Sequence, residues 1–280
     1  MLISIIAFFV WGEPKMEHTA IALLLGLLEG ATEFLPISST GHLIVAQAWL
    51  ARTSEADKTF AIAIQLGAIL AVCWHYRGRI AAVLFGLMQR DAPAVRLVVN
   101  LIVAFLPAAV VGLLAGKAIK AHLFSPAVVA TTLALGGVAI LLVERFRSTP
   151  RIARVEEMTW RDALKVGCAQ CLALIPGTSR SGATILGGLL FGLSRTAATE
   201  FSFFLAVPTM FAATLYTLTK DWQSLTISNV HEIAVGFVAA FVAGLVAVRW
   251  LLAYISRHSF ALFAWYRIAL AAVVWWVLVR

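Results

Sequence analysis

The sequence predicts an all-α integral membrane protein with six transmembrane helices and two re-entrant helix–loop–helix hairpins, arranged as an inverted-topology repeat. Hydrophobic residues make up 61% of the 280 positions and charged residues 13%, a composition outside the range of soluble domains. The formal charge of +8 lies in short basic clusters between apolar runs. Because no continuous basic stripe forms, this pattern argues against a nucleic-acid partner.

Six apolar windows are long enough to cross a bilayer. A transmembrane helix needs about 20 predominantly apolar residues. The predicted spans are residues 60–76, 97–116, 126–144, 199–219, 233–253 and 261–279.

Two further apolar regions, 18–50 and 163–195, are interrupted by polar stretches rich in glycine and proline at 36–42 and 176–182. Irregular backbone at membrane depth is tolerated only where protein or water satisfies its polar groups. These regions therefore predict re-entrant hairpins whose loops face a polar cavity. The alternative is a pair of ordinary surface turns between short spans.

The basic residues predict the orientation of the chain. They concentrate in the connections 77–96, 145–165 and 254–260, which the positive-inside rule assigns to the cytoplasm. Each half then has one hairpin and three spans, so a first repeat at about 17–146 and a second at about 160–280 are inverted relative to each other. Their loops are expected to meet near the bilayer centre. Residues 1–16 form an N-terminal extension to which the pattern assigns no role.

Two acids lie in the first hairpin. Glu29 and Glu33 are four residues apart, so both carboxylates project from one helix face and need a wet or cation-occupied cavity. Two such oxygen ligands suit Mg²⁺ or Ca²⁺, with substrate phosphate completing the shell. Alternatively, one carboxylate serves as a general base, or both are simply solvated at the interface.

The polar stretch of the first hairpin adds a hydroxyl nucleophile at Ser39, a second hydroxyl at Thr40 and an imidazole at His42. Hydroxyl and imidazole groups are the usual partners in nucleophilic and acid–base catalysis. The alternative for His42 is a structural role in a turn.

In the second hairpin, Arg180 lies between two serines and is flanked by glycines. An arginine in a broken membrane helix needs an anionic partner, and its planar fork matches phosphate oxygens. The structural alternative is a salt bridge to an acid of the first hairpin. The predicted phosphate contacts are Ser38, Ser39, Gly177, Ser179, Arg180 and Ser181.

The segments EGATEFLPISSTGH at 29–42 and PGTSRSG at 176–182 resemble the two motifs of the bacterial undecaprenyl-diphosphate phosphatases, also called bacitracin-resistance proteins. The resemblance runs from about Glu17 to the C-terminus. It implies a multi-pass protein of the bacterial cytoplasmic (inner) membrane, with an active site accessible from the periplasmic face. The implied reaction converts undecaprenyl diphosphate to undecaprenyl phosphate and inorganic phosphate, which recycles the lipid carrier for cell-wall synthesis.

Carried over to this sequence, the resemblance implies that Glu29 and Glu33 bind a divalent cation or act as bases, and that Arg180 holds phosphate. Ser39 is the expected nucleophile, with Glu33 or His42 accepting its proton, and His42 or water is the alternative nucleophile. Thr40 is a further contact. The expected partners are a polyprenyl diphosphate and membrane lipid. The sequence leaves open whether the chain forms a homo-oligomer.

Two other functions fit parts of the pattern. Inverted repeats with broken helices are typical of transporters, so a polyprenyl-lipid flippase or an anion transporter is the main alternative. The phosphatidic-acid-phosphatase class is a weaker one, because Phe201 occupies the place where its last motif, beginning here at Ser194, requires histidine.

Overall fold

A computed structural model describes residues 17–50, 54–147, 149–220 and 230–279, so the predicted extension at 1–16 lies outside the described residues. Within these ranges the regular structure is helical, apart from one isolated bridge between Ile152 and Leu193. The eleven α-helices of the described residues are α1 His18–Glu33, α2 Ser39–Trp49, α3 Glu55–His75, α4 Arg77–Met88, α5 Ala92–Leu123, α6 Pro126–Phe146, α7 Trp160–Gln170, α8 Arg180–Leu190, α9 Arg195–Lys220, α10 Val230–Ile255 and α11 Ala261–Val274.

Five helical segments of the described residues are long and apolar enough to cross a membrane: Ala92–Ile119, Pro126–Phe146, Arg195–Tyr216, Val230–Ile255 and Ala261–Val279. A sixth candidate is the pair Thr59–His75 and Arg77–Met88, which is bent by 74° at its break. The chain is therefore a multi-pass, all-α membrane protein, as the sequence predicted. The connection expected at 77–96 is itself largely helical, because α4 includes its apolar residues 80–88.

Both predicted hairpins are present as pairs of short helices. The 16 residues of α1 span about 24 Å, and the 11 residues of each of α2, α7 and α8 span about 17 Å. A bilayer core is about 30 Å thick, so these helices are too short to cross it. Each hairpin instead brings its loop into the interior of the bundle.

The second helix of each hairpin begins with the same local structure. Ser38 and Ser179 both adopt positive φ, 71° and 72°, before α2 and α8. Their side chains accept hydrogen bonds from the backbone N–H of Gly41 and Gly182, at 3.3 and 3.1 Å. These N-caps satisfy backbone donors that a helix start leaves free. The matched geometry supports the internal repeat inferred from element order.

Glycines allow helices of the two halves to pack closely against each other. Helix α1 packs on α10, where a Cβ on Gly26 or Gly30 would overlap the α10 backbone. The counterpart helix α7 packs on α5, where a Cβ on Gly167 would overlap Ala104. Since small residues let helix backbones approach closely in membranes, each hairpin seats on a long helix of the other half. Because each hairpin packs against the other half, both hairpin loops lie at the centre of the bundle.

Candidate active site

Glu33, at the end of α1, joins the two hairpins. The Ser39 hydroxyl donates to its Oε2 at 2.6 Å, and Arg180 Nη2 donates to its Oε1 at 3.2 Å. Glu33 and Ser39 are buried, and the Arg180 side chain is 11% exposed. The structure thus brings together a carboxylate, a hydroxyl and a guanidinium that the sequence separates by 147 positions.

Glu29 lies one helical turn before Glu33 and is also buried. It is a neighbour of Glu33 on the same helix, and its Oε2 has no hydrogen-bond partner among the residues that the structure describes. A buried, unpaired carboxylate oxygen beside a second carboxylate fits a hard divalent cation. No group of three or more His, Cys, Asp or Glu side chains accompanies them in the described part of the chain. The remaining ligands of such a cation would be phosphate and water.

Arg180 is held from several sides. Its Nη1 donates to the Ser202 carbonyl oxygen at 2.9 Å, and its guanidinium lies 5.8 Å from the centroid of the Phe34 ring. Its Nε is buried without a hydrogen-bond partner among the described residues. Buried polar groups are normally paired, so this free donor next to Glu33 marks a place for an anionic oxygen. The salt bridge predicted between Arg180 and an acid of the first hairpin is present, and the acid is Glu33. The unpaired Nε of Arg180 exists beside this salt bridge.

His42 has a partner at each ring nitrogen. Its Nδ1 lies 2.7 Å from the Ser38 carbonyl oxygen and its Nε2 lies 2.7 Å from the Tyr266 hydroxyl. A carbonyl can only accept, so Nδ1 carries a proton, and in a neutral imidazole Nε2 accepts the Tyr266 O–H. The Tyr266 ring also stacks on the imidazole at 5.5 Å. Tyr266 thus fixes the orientation of His42.

The other residues that were predicted to contact phosphate have structural roles within the protein. The Ser181 hydroxyl donates to the Leu35 carbonyl oxygen at 2.8 Å, which ties the second hairpin to the first. Ser38 and Ser179 are the caps described above, and Gly177 has a φ of 85°. A phosphate contact from these residues stays a prediction. Thr40 is exposed, and its hydroxyl bonds none of the site residues in the part of the chain that the structure describes.

Arg267 in α11 is a central residue that neither motif includes. It is 1% exposed, and its five N–H groups donate to five carbonyl oxygens at 3.0 to 3.3 Å. An arginine within the predicted span 261–279 was the signal that could have identified it. Its acceptors lie in both hairpin loops and in α6: Pro36, Thr132, Leu133, Gly177 and Thr178.

Fold and site together define a polytopic membrane protein with a buried carboxylate–hydroxyl–guanidinium site suited to an anionic group. The chain belongs to the family described as bacitracin resistance protein BacA, whose family model matches residues 22–273. The resemblance drawn from the two motifs is therefore confirmed.

Curated relatives cover most of the chain. The chain is 61% identical over 254 residues to the "Undecaprenyl-diphosphatase 2" of Rhodospirillum rubrum, covering 90% of this chain and 92% of that protein. It is 58% identical over 253 residues to the "Undecaprenyl-diphosphatase" of Methylococcus capsulatus, with the same coverage. The "Undecaprenyl-diphosphatase" of Nitrosomonas europaea is 57% identical over 253 residues, again covering 90% and 92% of the two chains.

Proposed function

We propose that this chain hydrolyses undecaprenyl diphosphate to undecaprenyl phosphate and inorganic phosphate. The observation that carries the proposal is the contact of Ser39 and Arg180 with the two oxygens of Glu33. This contact puts a nucleophile, a proton acceptor and a cation for phosphate in one buried site. The names of the relatives supply the substrate, and family membership supports the reaction class.

Ser39 is the proposed nucleophile. Its oxygen attacks the terminal phosphorus while its proton passes to Glu33 Oε2, which already accepts that hydrogen bond at 2.6 Å. Undecaprenyl phosphate leaves, and water then hydrolyses the phosphoserine to regenerate the hydroxyl. A nucleophile hydrogen-bonded to its base is the expected arrangement for covalent catalysis.

His42 is the less suitable nucleophile. Attack through Nε2 would first require breaking its 2.7 Å bond to Tyr266, and Nδ1 already carries the proton donated to Ser38. We propose instead that His42 orders the first turn of α2, and with it the adjacent Ser39. The Ser38 carbonyl that His42 holds directly precedes the Ser39 backbone.

Arg180 is the proposed phosphate-binding residue. Its unpaired Nε and its Nη2 offer two donors near Glu33, and a guanidinium fork binds phosphate oxygens in this way. Phosphoryl transfer depends mainly on positioning and on neutralising charge. Glu29 and Glu33 would hold Mg²⁺ or Ca²⁺, which supplies further neutralisation when bound.

We also propose that the protein resides in the bacterial cytoplasmic (inner) membrane and that its site is accessible from the periplasmic face. The basic connections support this orientation through the positive-inside rule. The first hairpin, which carries the acids and Ser39, then enters from the periplasmic side.

The test is phosphate release from a long-chain polyprenyl diphosphate by purified protein, with and without a chelator. Glu33→Gln, Ser39→Ala and Arg180→Ala should each reduce release by at least about 100-fold, and the chelator should do the same to the wild type. Ser256→Ala is the matched control, because this exposed serine lies just after α10 and, among the described residues, its hydroxyl bonds only to the Ala253 carbonyl oxygen. It should retain wild-type turnover.

Each other outcome redirects the proposal. Undiminished turnover in all three site variants would refute the site assignment. Activity in Ser39→Ala alone would transfer the attack to His42 or to water. Lipid translocation without phosphate release would identify a flippase.

A further inference from the structure

A lateral groove opens between the start of α5 and the start of α7, and its lining includes no motif residue. It has a volume of about 750 Å³. Its apolar walls are mainly Ala92, Val95, Val99, Met158 and Trp160. Trp160 is 52% exposed, and tryptophans concentrate where the membrane meets water. The groove therefore opens at the level of lipid headgroups.

Two arginines line the same groove. Arg90 precedes the apolar segment that begins at Ala92, and Arg96 lies about one turn inside it. Both side chains are exposed, and neither has a carboxylate or hydrogen-bond partner among the residues that the structure describes. Six other arginines of the described chain do pair with carboxylates: Arg79, Arg147, Arg151, Arg154, Arg180 and Arg195.

The other half of the protein offers an internal comparison. A second groove, of about 520 Å³, lies between α1 and α10. Its lining is wholly apolar and includes Leu23, Leu27, Val235 and Val242. A groove that contacts only acyl chains needs no charged side chain, so the lining of the α1–α10 groove is what acyl-chain contact alone requires. The arginines at the α5–α7 groove indicate an additional headgroup contact.

We propose that the α5–α7 groove binds an anionic phospholipid such as phosphatidylglycerol. Its phosphate contacts Arg90 and Arg96 at the interface, and one acyl chain follows the apolar wall formed by Val95 and Val99. Long basic side chains extend toward the headgroup level in this manner. Each basic residue near an anionic membrane surface adds attraction, so two arginines give a clear preference over a zwitterionic lipid.

The test is lipid retention by the purified full-length protein, measured by native mass spectrometry with phosphatidylglycerol and phosphatidylcholine of identical acyl chains. In the double variant Arg90→Gln with Arg96→Gln, the ratio of retained phosphatidylglycerol to retained phosphatidylcholine should fall about 10- to 30-fold. The matched control is Arg145→Gln with Arg257→Gln. These two arginines are exposed and lie at the same end of the bundle, but neither lines the groove.

Equal losses in the two double variants would overturn the proposal, because the preference would then follow net charge alone. In a parallel sample with added undecaprenyl phosphate, selective loss of that lipid, with retention of phosphatidylglycerol unchanged, would also overturn the proposal and assign the groove to the lipid product. Unfolding midpoints measured in phosphatidylcholine should match the wild type in both variants. A selective loss from the Arg90 and Arg96 variant at an unchanged midpoint supports the proposal.

Discussion

Gly136 in α6 directly faces the guanidinium of Arg267. A Cβ placed there would lie 2.6 Å from Arg267 Cζ and 2.9 Å from Nε, distances that real side chains do not tolerate. The guanidinium has no free direction in which to move, because all five of its N–H groups are bonded to carbonyl oxygens. We therefore expect Gly136→Ala to displace Arg267 and to loosen both hairpin loops.

The magnitude follows from two contributions. Overpacking a tight interior costs about 1–3 kcal/mol. Each lost hydrogen bond from a charged donor costs about 1.5–3 kcal/mol. With one such bond lost, Gly136→Ala should destabilise the protein by about 2.5–6 kcal/mol. Phosphate release should fall as well, because the loops that Arg267 joins carry the site.

The assay is thermal unfolding in detergent, paired with phosphate release. Gly116→Ala in α5 is the matched control, because a Cβ there meets nothing within 4 Å. This control should leave the midpoint unchanged or slightly raised, since alanine suits a helix better than glycine. A wild-type midpoint and full phosphate release in Gly136→Ala would refute the reasoning.

Three further substitutions test other contacts. Tyr266→Phe removes only the hydroxyl on His42, so kcat should fall by about five- to tenfold with little change in KM; unchanged kcat would contradict an orienting role. Ser181→Ala removes one hydrogen bond between the hairpins, while the Leu35 carbonyl keeps the bond it accepts from the Ile37 N–H, so the unfolding free energy should fall by about 0.5–1.5 kcal/mol; an unchanged unfolding curve would count against this tie. Burial favours a raised pKa for Asp162, but hydrogen bonds from Thr159 and the hydrogen bond and charge of Arg151 together outweigh it and hold that pKa below its ordinary value. Asp162 therefore stabilises the fold at neutral pH and loses this effect as the pH falls through its folded-state pKa. Asp162→Asn should be less stable at neutral pH and lose less stability than the wild type between roughly pH 5 and pH 2.

Hydropathy and breaker residues were sufficient to predict most of the fold. The apolar windows at 97–116, 126–144 and 233–253 all lie within long helices of the structure. Proline and glycine within apolar regions located both hairpin loops. The 74° bend between α3 and α4 lies where the predicted span 60–76 ends, but the helix after it was not predicted, because the basic residues of 77–96 indicated a connection. The bend depends on packing that the local sequence does not encode.

The site was predictable to the extent that its residues lie in the two loops. Glu33, Ser39 and Arg180 were found because polar side chains in apolar segments are conspicuous. The contacts of Tyr266 and Arg267 with the first hairpin span 224 and 231 positions, so neighbouring sequence contains no signal of them. An isolated arginine in a span does suggest a role, but it does not specify five carbonyl partners.

The bonds of Arg267 have a consequence for biogenesis. A membrane protein is synthesised from its N-terminus, and Pro36 and Thr178 precede Arg267 by 231 and 89 residues. Both hairpin loops are therefore made before the residue that bonds them to each other. The bonds of Arg267 to the two loops can form only after α11 has been synthesised.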